Sequence, residues 1–322
     1  MNEQQTPHPD GTITEVRGTT YMVRLDDGRT SRARTNSATR SSDPDSSLVA
    51  VGDRVTLRLH TGGDIRYQVT ADTTPESTIT HVHPRHSALT RQRDPRRNRS
   101  RESTQIIAAN IDQLVIVTSP REPALNTRLI DRYLVFAESE TLTPLIVVNK
   151  NDLDPDHHAA RQLQPYRHLG YNICFVSALT THGLDELGNA LAGRCSAFSG
   201  HSGVGKSSLI NLLAGQTLRT SGTNCKTGKG LHTTTSTIMF PIAGGGHIID
   251  TPGIREFSLT GITRDNLRFW FPEFRPLMTS CSYTSCTHTV EPGCAIREAA
   301  TQHHIVPERY ESYLAIFDTI EA

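Results

Sequence analysis

Eight consecutive residues, Gly200-His201-Ser202-Gly203-Val204-Gly205-Lys206-Ser207, have the composition and spacing of a phosphate-binding loop. In such a loop successive backbone N–H groups wrap a row of phosphates. Gly203 and Gly205 permit close approach. Lys206 is placed to bridge β- and γ-phosphate oxygens, which makes it a catalytic as well as a binding residue, and the Ser207 hydroxyl is placed to hold Mg2+. Gly200, His201, Ser202, Val204 and Ser208 complete the stretch that would line the nucleotide. The flanks agree with this reading. The strand-like run Cys195–Ser199 enters the loop, and Ser207–Ala214 leaves it with helical character.

A second cluster reads a base. Asn149-Lys150-Asn151-Asp152 follows the apolar run Leu145–Val148. A carboxylate at Asp152 can accept from the guanine ring N–H and the exocyclic amine together, a pair that adenine lacks. Sites built around such hydrogen bonds reject the wrong partner by roughly 10⁴-fold or more. Asn149 opens the loop, and the Lys150 stem would lie along the base. Ser177-Ala178, after the strand-like Tyr171–Val176, offers a backbone contact to the guanine carbonyl. Asp250-Thr251-Pro252-Gly253 follows His247–Ile249; Asp250 would hold Mg2+ through water, and the Gly253 N–H would sense the γ-phosphate. Thr233-Thr234-Thr235 would supply a further magnesium ligand, taken as Thr234; the competing reading is a plain lead-in to a strand. Position 254 is Ile254, where many GTPases carry the glutamine that orients the attacking water. Its absence predicts slow intrinsic hydrolysis, or a catalytic group from elsewhere. His232 is the best candidate in the chain, against the alternative of an exposed loop histidine, one of fifteen.

These motifs stand in rotated order. A Ras-type GTPase has its phosphate loop first and its guanine loop late; here the guanine loop precedes. Circular permutation is sterically tolerable because chain ends tend to lie close together at the surface. Its consequence is mechanical: just after the γ-phosphate-sensing loop the chain enters a C-terminal segment. That segment holds Cys281-x4-Cys286-x-His288-x5-Cys294, a Cys₃His set suited to one tetrahedral structural Zn2+. With four protein ligands the set is closed, so a catalytic zinc is not expected. Cys174, Cys195 and Cys225 read as plain thiols.

A chain of 322 residues suggests more than one domain. Residues 11–80 read as short strands, Gly11–Arg17, Thr20–Leu25, Arg29–Ala33, Arg54–Leu59 and Asp64–Thr70, with a tight turn at Asp26-Asp27-Gly28. Five strands in so short a span suggest a small barrel of the OB type, taken as residues 11–84. The polar run Arg34–Ser47 reads as a loop within it. Residues 85–105 form a basic linker: within the stretch from Arg85 to Arg101, Arg85, Arg91, Arg93, Arg96, Arg97, Arg99 and Arg101 are opposed only by Asp94. A solvated linker and a phosphate-contacting arm both fit that composition. Residues 106–258 alternate strands and helices as an α/β nucleotide-binding sheet, and 259–322 form a small helical zinc unit. Net charge is zero. Of the four lysines, Lys150 and Lys206 sit in nucleotide motifs, while Lys226 and Lys229 are there by chance or act in a switch segment. No apolar run approaches the roughly 18 residues of a membrane span. The stretch Met1–Asp10 lacks a signal-peptide core, so a cytoplasmic chain without a membrane partner is expected.

The rotated motifs, the N-terminal barrel and the trailing cysteine–histidine cluster together resemble the ribosome small-subunit-dependent GTPase A family (RsgA, also called YjeQ). The likeness runs over nearly the whole chain. It includes Gln105–Asn110, Gly200–Leu209, His232–Thr235, Asp250–Gly253 and Pro292-Gly293-Cys294-Ala295-Ile296-Arg297. Departures are the less aliphatic strand ending in Ser199 and the polar insertion 34–47. The resemblance implies an OB-fold, a circularly permuted P-loop GTPase and a zinc-binding helical domain. It further implies binding of GTP/GDP with Mg2+, and late binding to the small ribosomal subunit and its rRNA, with a monomer expected. Hydrolysis would be stimulated by the subunit and coupled to release. An RNA-binding module whose nucleotide only sets conformation, with incidental turnover, is the alternative.

Overall fold

The computed structural model describes residues 8–42, 49–60, 76–92, 104–220, 237–250, 259 and 261–320. In chain order the first strands are β1 (Asp10–Arg17), β2 (Thr20–Leu25), β3 (Thr30–Arg34), β4 (Arg40–Ser41), β5 (Arg54–Leu59), β6 (Glu76–Val82), β7 (Ala88–Gln92) and β8 (Thr104–Ala109). Then come β9 (Gln113–Thr118), α1 (Thr127–Ser139), β10 (Thr143–Val148), α2 (His158–Gln162), α3 (Gln164–His168), β11 (Asn172–Phe175) and α4 (Leu184–Leu191). The remainder is β12 (Cys195–Ser199), α5 (Lys206–Thr220), β13 (Ile238–Pro241), β14 (His247–Asp250), α6 (Ala295–Thr301) and α7 (Pro307–Thr319). The chain divides into two compact units: Met1–Asp112, Leu191–Ala197 and Ala214–Ile254 form one, and Gln113–Ala190, Phe198–Leu213 and Arg255–Ala322 the other.

The first unit holds a closed five-stranded barrel. β1 pairs antiparallel with β2 and β5, β2 with β3, and β5 with β6, while β3 and β6 close it in parallel. Alternation drives the closure. Val23 and Leu25 on β2, Val55 and Leu57 on β5, and Ile13, Ala33, Ile79 and Val82 fill one apolar core. The turn at 26–28 forms as its residues dictate: Gly28 has φ 87° and its N–H donates to the Leu25 carbonyl at 2.9 Å. The closing strand is Glu76–Val82; the run Asp64–Thr70 expected to close it lies outside the described residues. Sequence masks β6 because a serine stands at an inward position. Ser77 is buried and tolerated because its hydroxyl meets that of Ser31 at 2.8 Å.

The segment read as a linker is flanked by structure. β7 and β8 form an antiparallel ribbon from Ala88↔Ala109 to Gln92↔Thr104. Arg85 does not join the basic stretch; its guanidinium lies inside, bonded to both Asp53 carboxylate oxygens at 2.7 and 2.8 Å. Arg93 to Arg101 lie outside the described residues. β13 and β14 pair antiparallel, and Ile238 of β13 also pairs with Glu15 of barrel strand β1.

In the second unit β9, β10 and β11 are parallel, with Val115, Leu145 and Asn172 in one row. Every residue of β9 is buried, the signature of a central parallel strand. Helix α1 starts where Asn126 accepts from the Leu129 N–H, and it buries Ile130, Tyr133, Leu134 and Ala137 as its spacing predicts. It also buries a charge. Asp131 accepts from Nη1 of Arg309 on α7 at 2.6 Å and from the Tyr166 hydroxyl at 2.7 Å. The same guanidinium reaches both carboxylate oxygens of Glu273 at 2.7 and 3.0 Å and stacks on Phe271, 4.8 Å from the ring centre. Around it lies the apolar core of the C-terminal helices, built on Leu267, Phe271, Phe274, Ile296 and Tyr313.

Removing one member of a buried ion network leaves an uncompensated charge, which costs about 3–5 kcal/mol. Arg309→Ala is therefore expected to lower the unfolding free energy by about that amount in urea denaturation. A loss below about 1 kcal/mol, the size of a surface pair, would show that the network carries no such load.

Candidate nucleotide site and metal centre

The phosphate loop leaves β12, four of whose five residues are buried. Two glycines are required by contact. At Gly200, with φ 141°, a Cβ would collide with the Val117 carbonyl. At Gly205, with φ 91°, it would strike the side-chain amide of Asn149. The backbone of the candidate loop thus stays bare at both positions. Lys206 arches over the loop, and its Nζ donates to the carbonyls of Gly200 at 2.7 Å and His201 at 2.9 Å. Those carbonyls hold the ammonium at the mouth of the loop. Ser202, Gly203, Ser207 and Ser208 are exposed there, while Val204 is buried beneath.

The candidate base-reading loop, Asn149–Asp152, is built onto the same framework. Asn149 is only 1% exposed. Its Nδ2 donates to the Val204 carbonyl at 2.8 Å, and its Oδ1 accepts from the Ala178 N–H at 3.0 Å. One amide therefore joins the phosphate loop, the base-reading loop and Ser177-Ala178. The buried Ser177 hydroxyl donates to the carboxylate of Asp152 and accepts from the Thr180 N–H at 3.1 Å, which aims an exposed carboxylate. Lys150, in the left-handed region at φ 60°, donates from Nζ to the Glu122 carbonyl at 2.6 Å. Sequence reasoning missed this Glu122-Pro123 turn. Pro123 borders a cavity of about 100 Å³ together with Asn126, Tyr133, His201 and Val204, beside the phosphate loop. A proline between a buried strand and a capped helix was the available signal.

Asp250 ends β14, half buried and opposite Ile238. His232, Thr233, Thr234, Thr235, Thr251, Pro252, Gly253, Ile254, Lys226, Lys229 and Cys225 lie outside the described residues.

The C-terminal cluster is brought together. The ligand atoms of Cys281, Cys286, His288 and Cys294 all lie within 4.8 Å of one another. Nδ1 of His288 points at the thiols, 3.6 Å from Cys281 Sγ and 3.4 Å from Cys294 Sγ. Burial lowers the His288 imidazole to about 4 and raises the Cys286 thiol to about 12. The imidazole is thus neutral, as a metal ligand must be, and the Cys286 thiol would need a bound cation to ionise, which fits the chemistry of a structural zinc site. The loop is organised for it. The Arg297 N–H donates to Cys294 Sγ at 3.5 Å, and the hydroxyls of Tyr310 and Tyr313 donate to the carbonyls of His288 and Thr287. Burial pushes the Glu291 carboxyl up, but the Thr287 hydroxyl and several backbone N–H groups outweigh it and hold the group at about 2. Cys174 and Cys195 lie apart as free thiols raised by burial, to about 11 and about 12.

Two outcomes follow from these sites. Asp152→Asn should shift preference from GTP toward XTP, since an amide can pair with the xanthine carbonyl; competition with both nucleotides checks it, and a retained GTP preference would remove Asp152 from base reading. Cys281→Ser should lower zinc from about one ion per chain, together with the thermal midpoint. Metal-free wild-type protein prepared without chelator would count against the centre.

Known proteins agree with this geometry. Residues 82–260 match the family described as RsgA GTPase. A protein of Chlorobaculum parvum, named small ribosomal subunit biogenesis GTPase RsgA, is 54% identical over 97% of this chain and 98% of its own length. Its namesake in Bacteroides fragilis is 36% identical over 97% of each. The crystal structure of YjeQ from Thermotoga maritima superposes with a TM-score of 0.71 at 28% identity, covering 97% of this chain and 98% of that one. YloQ, described as a circularly permuted GTPase, shares the fold at the same TM-score of 0.71 and 24% identity, over 99% of this chain and 97% of its own. With an OB barrel, a permuted P-loop core and a helical Cys₃His unit in one chain, this protein belongs to the RsgA GTPase family.

Proposed function

We propose that this chain hydrolyses GTP to GDP and phosphate in the late maturation of the small ribosomal subunit. In this reading it acts in the cytoplasm as a monomer that binds subunit rRNA and leaves after hydrolysis. The observation that carries the reading is the Asn149 amide, which sets the guanine-reading and phosphate-binding loops at fixed distance on one framework. The relatives' printed names, small ribosomal subunit biogenesis GTPase, supply the subunit. The domains are read as a barrel over 11–84, a basic linker over 85–105, a GTPase over 106–258 and a zinc unit over 259–322.

Asp152, aimed by Ser177, accepts from the guanine edge, Lys150 covers the base and the Ala178 N–H meets its carbonyl. The bare backbone of Gly200–Gly205 donates to the phosphates, and Lys206 exchanges its carbonyl partners for β- and γ-phosphate oxygens. Mg2+, held by Ser207 and Thr234 and through water by Asp250, would neutralise charge developing between those phosphates. A water attacks the γ-phosphorus in line; its P–O bond forms as the bond to the β-phosphate oxygen breaks, giving GDP and inorganic phosphate. Gly253 senses the γ-phosphate before that step. His232 stands in for the glutamine missing at Ile254 and orients the water.

Hydrolysis by wild-type protein should rise roughly 10-fold or more when purified small subunits are added, as activators of this chemistry act. Lys206→Ala should be inactive with or without subunits. His232→Ala should bind nucleotide normally yet respond weakly to subunits. A wild-type rate indifferent to subunits would overturn the coupled reading and leave an RNA-binding module with incidental turnover.

A further inference from the structure

Beyond the base-reading loop the chain makes two short helices, α2 and α3, that enclose an open groove of about 390 Å³ lined by His157, Ala160, Arg161, Gln164, Arg167 and His168. Four of the six lining side chains are basic, one is an amide, and none is a carboxylate. Neither guanidinium has an ion-pair partner among the described residues. Each is nevertheless held. Arg161 donates to the Asp156 carbonyl at 2.7 Å and lies 3.4 Å from Nδ1 of His158. Arg167 rests over the Phe175 ring, 5.4 Å from its centre. Their partners are a main-chain oxygen, an imidazole and a ring, so the charges are positioned without being neutralised.

We propose that this groove is a phosphate-binding site for an RNA backbone. Positioned, uncompensated arginines suit phosphate oxygens, whose geometry the guanidinium fork matches. Ala160 is the one apolar residue among the six that line it. The groove is open, as a continuous strand requires. It is also tied to the nucleotide site. The buried Asp154, just past Asp152, accepts from the His158 and Ala159 N–H groups at 3.0 and 2.8 Å and so fixes the start of α2. RNA seated there would lie one short turn from the guanine-reading loop. The proposal rests on the ribosomal reading above, but it concerns naked RNA and can fail separately.

The test uses full-length protein and a fluorescein-labelled single-stranded RNA of mixed sequence, titrated across a salt series. Arg161→Gln/Arg167→Gln should weaken binding on the order of tenfold and flatten the log–log salt slope by roughly 1.4, the share of two single-strand phosphate contacts. GTP affinity should not change. Arg161→Lys/Arg167→Lys should recover most of the binding. Because Arg167 also packs on Phe175, the single exposed change Arg161→Gln guards against misfolding and should show about half the slope change. Unaltered RNA affinity and slope in both Gln variants would overturn the proposal. So would weakened binding to small subunits with full binding to naked RNA, which would make the groove a protein contact. Subunit-stimulated hydrolysis by the wild type is a separate readout: its absence would sink the ribosomal reading, whereas its presence with unaltered RNA binding would sink only the groove.

Discussion

The nucleotide site depends on one buried carboxamide. Asn149 has a single donor direction and a single acceptor direction in use, one toward the Val204 carbonyl and one toward the Ala178 N–H. Three loops, drawn from positions 149, 178 and 204, are held by this side chain. Burial makes the arrangement stringent. An unpartnered amide away from water costs about 1–3 kcal/mol, so the loops are stable together and poor apart. Gly205 must remain bare partly for the same reason, since a side chain there would strike this amide. Circular permutation leaves the constraint intact, because the contact is between loops and does not depend on the order in which the chain supplies them.

Buried charge plays a comparable part in the C-terminal helices. Arg309 of α7 joins Asp131 of α1 and Glu273 in one network, packed on Phe271 and Tyr166. Such networks add little net stability over an apolar core but penalise wrong packing heavily. The helices around the cysteine cluster are short and its core is modest. The Arg309 network ties them together, and the Cys281–Cys294 cluster could hold a metal ion where the core is small. Helix α1 begins at Asn126, which borders the cavity beside the phosphate loop, and carries Asp131 little more than a turn later.

The barrel is continuous with the β13–β14 pair. Ile238 pairs on one side with Glu15 of β1 and on the other with Asp250 of β14. A residue expected to hold magnesium through water thus stands in one row with a barrel strand.

Much of this protein is legible in its sequence, and the reason is local. The phosphate loop, the Asn149–Asp152 loop and the Cys281–Cys294 cluster each complete their pattern within a few residues, because each needs a fixed local backbone and a few side chains. Strands β10, β11 and β12 are legible as the strand-like runs Leu145–Val148, Tyr171–Val176 and Cys195–Ser199. Other features were decided by tertiary structure. Ser77 belongs to the barrel core only because Ser31, forty-six residues earlier, satisfies it. Arg85 reads as part of a basic arm but is claimed by Asp53. Arg309 looks like a surface residue of an ordinary helix until Asp131 and Glu273 arrive from elsewhere in the chain. In each case a polar group's place depends on a partner distant in sequence. Spacing along the chain reports what the backbone does locally, whereas the fate of a buried polar side chain is settled by which partner the fold delivers to it.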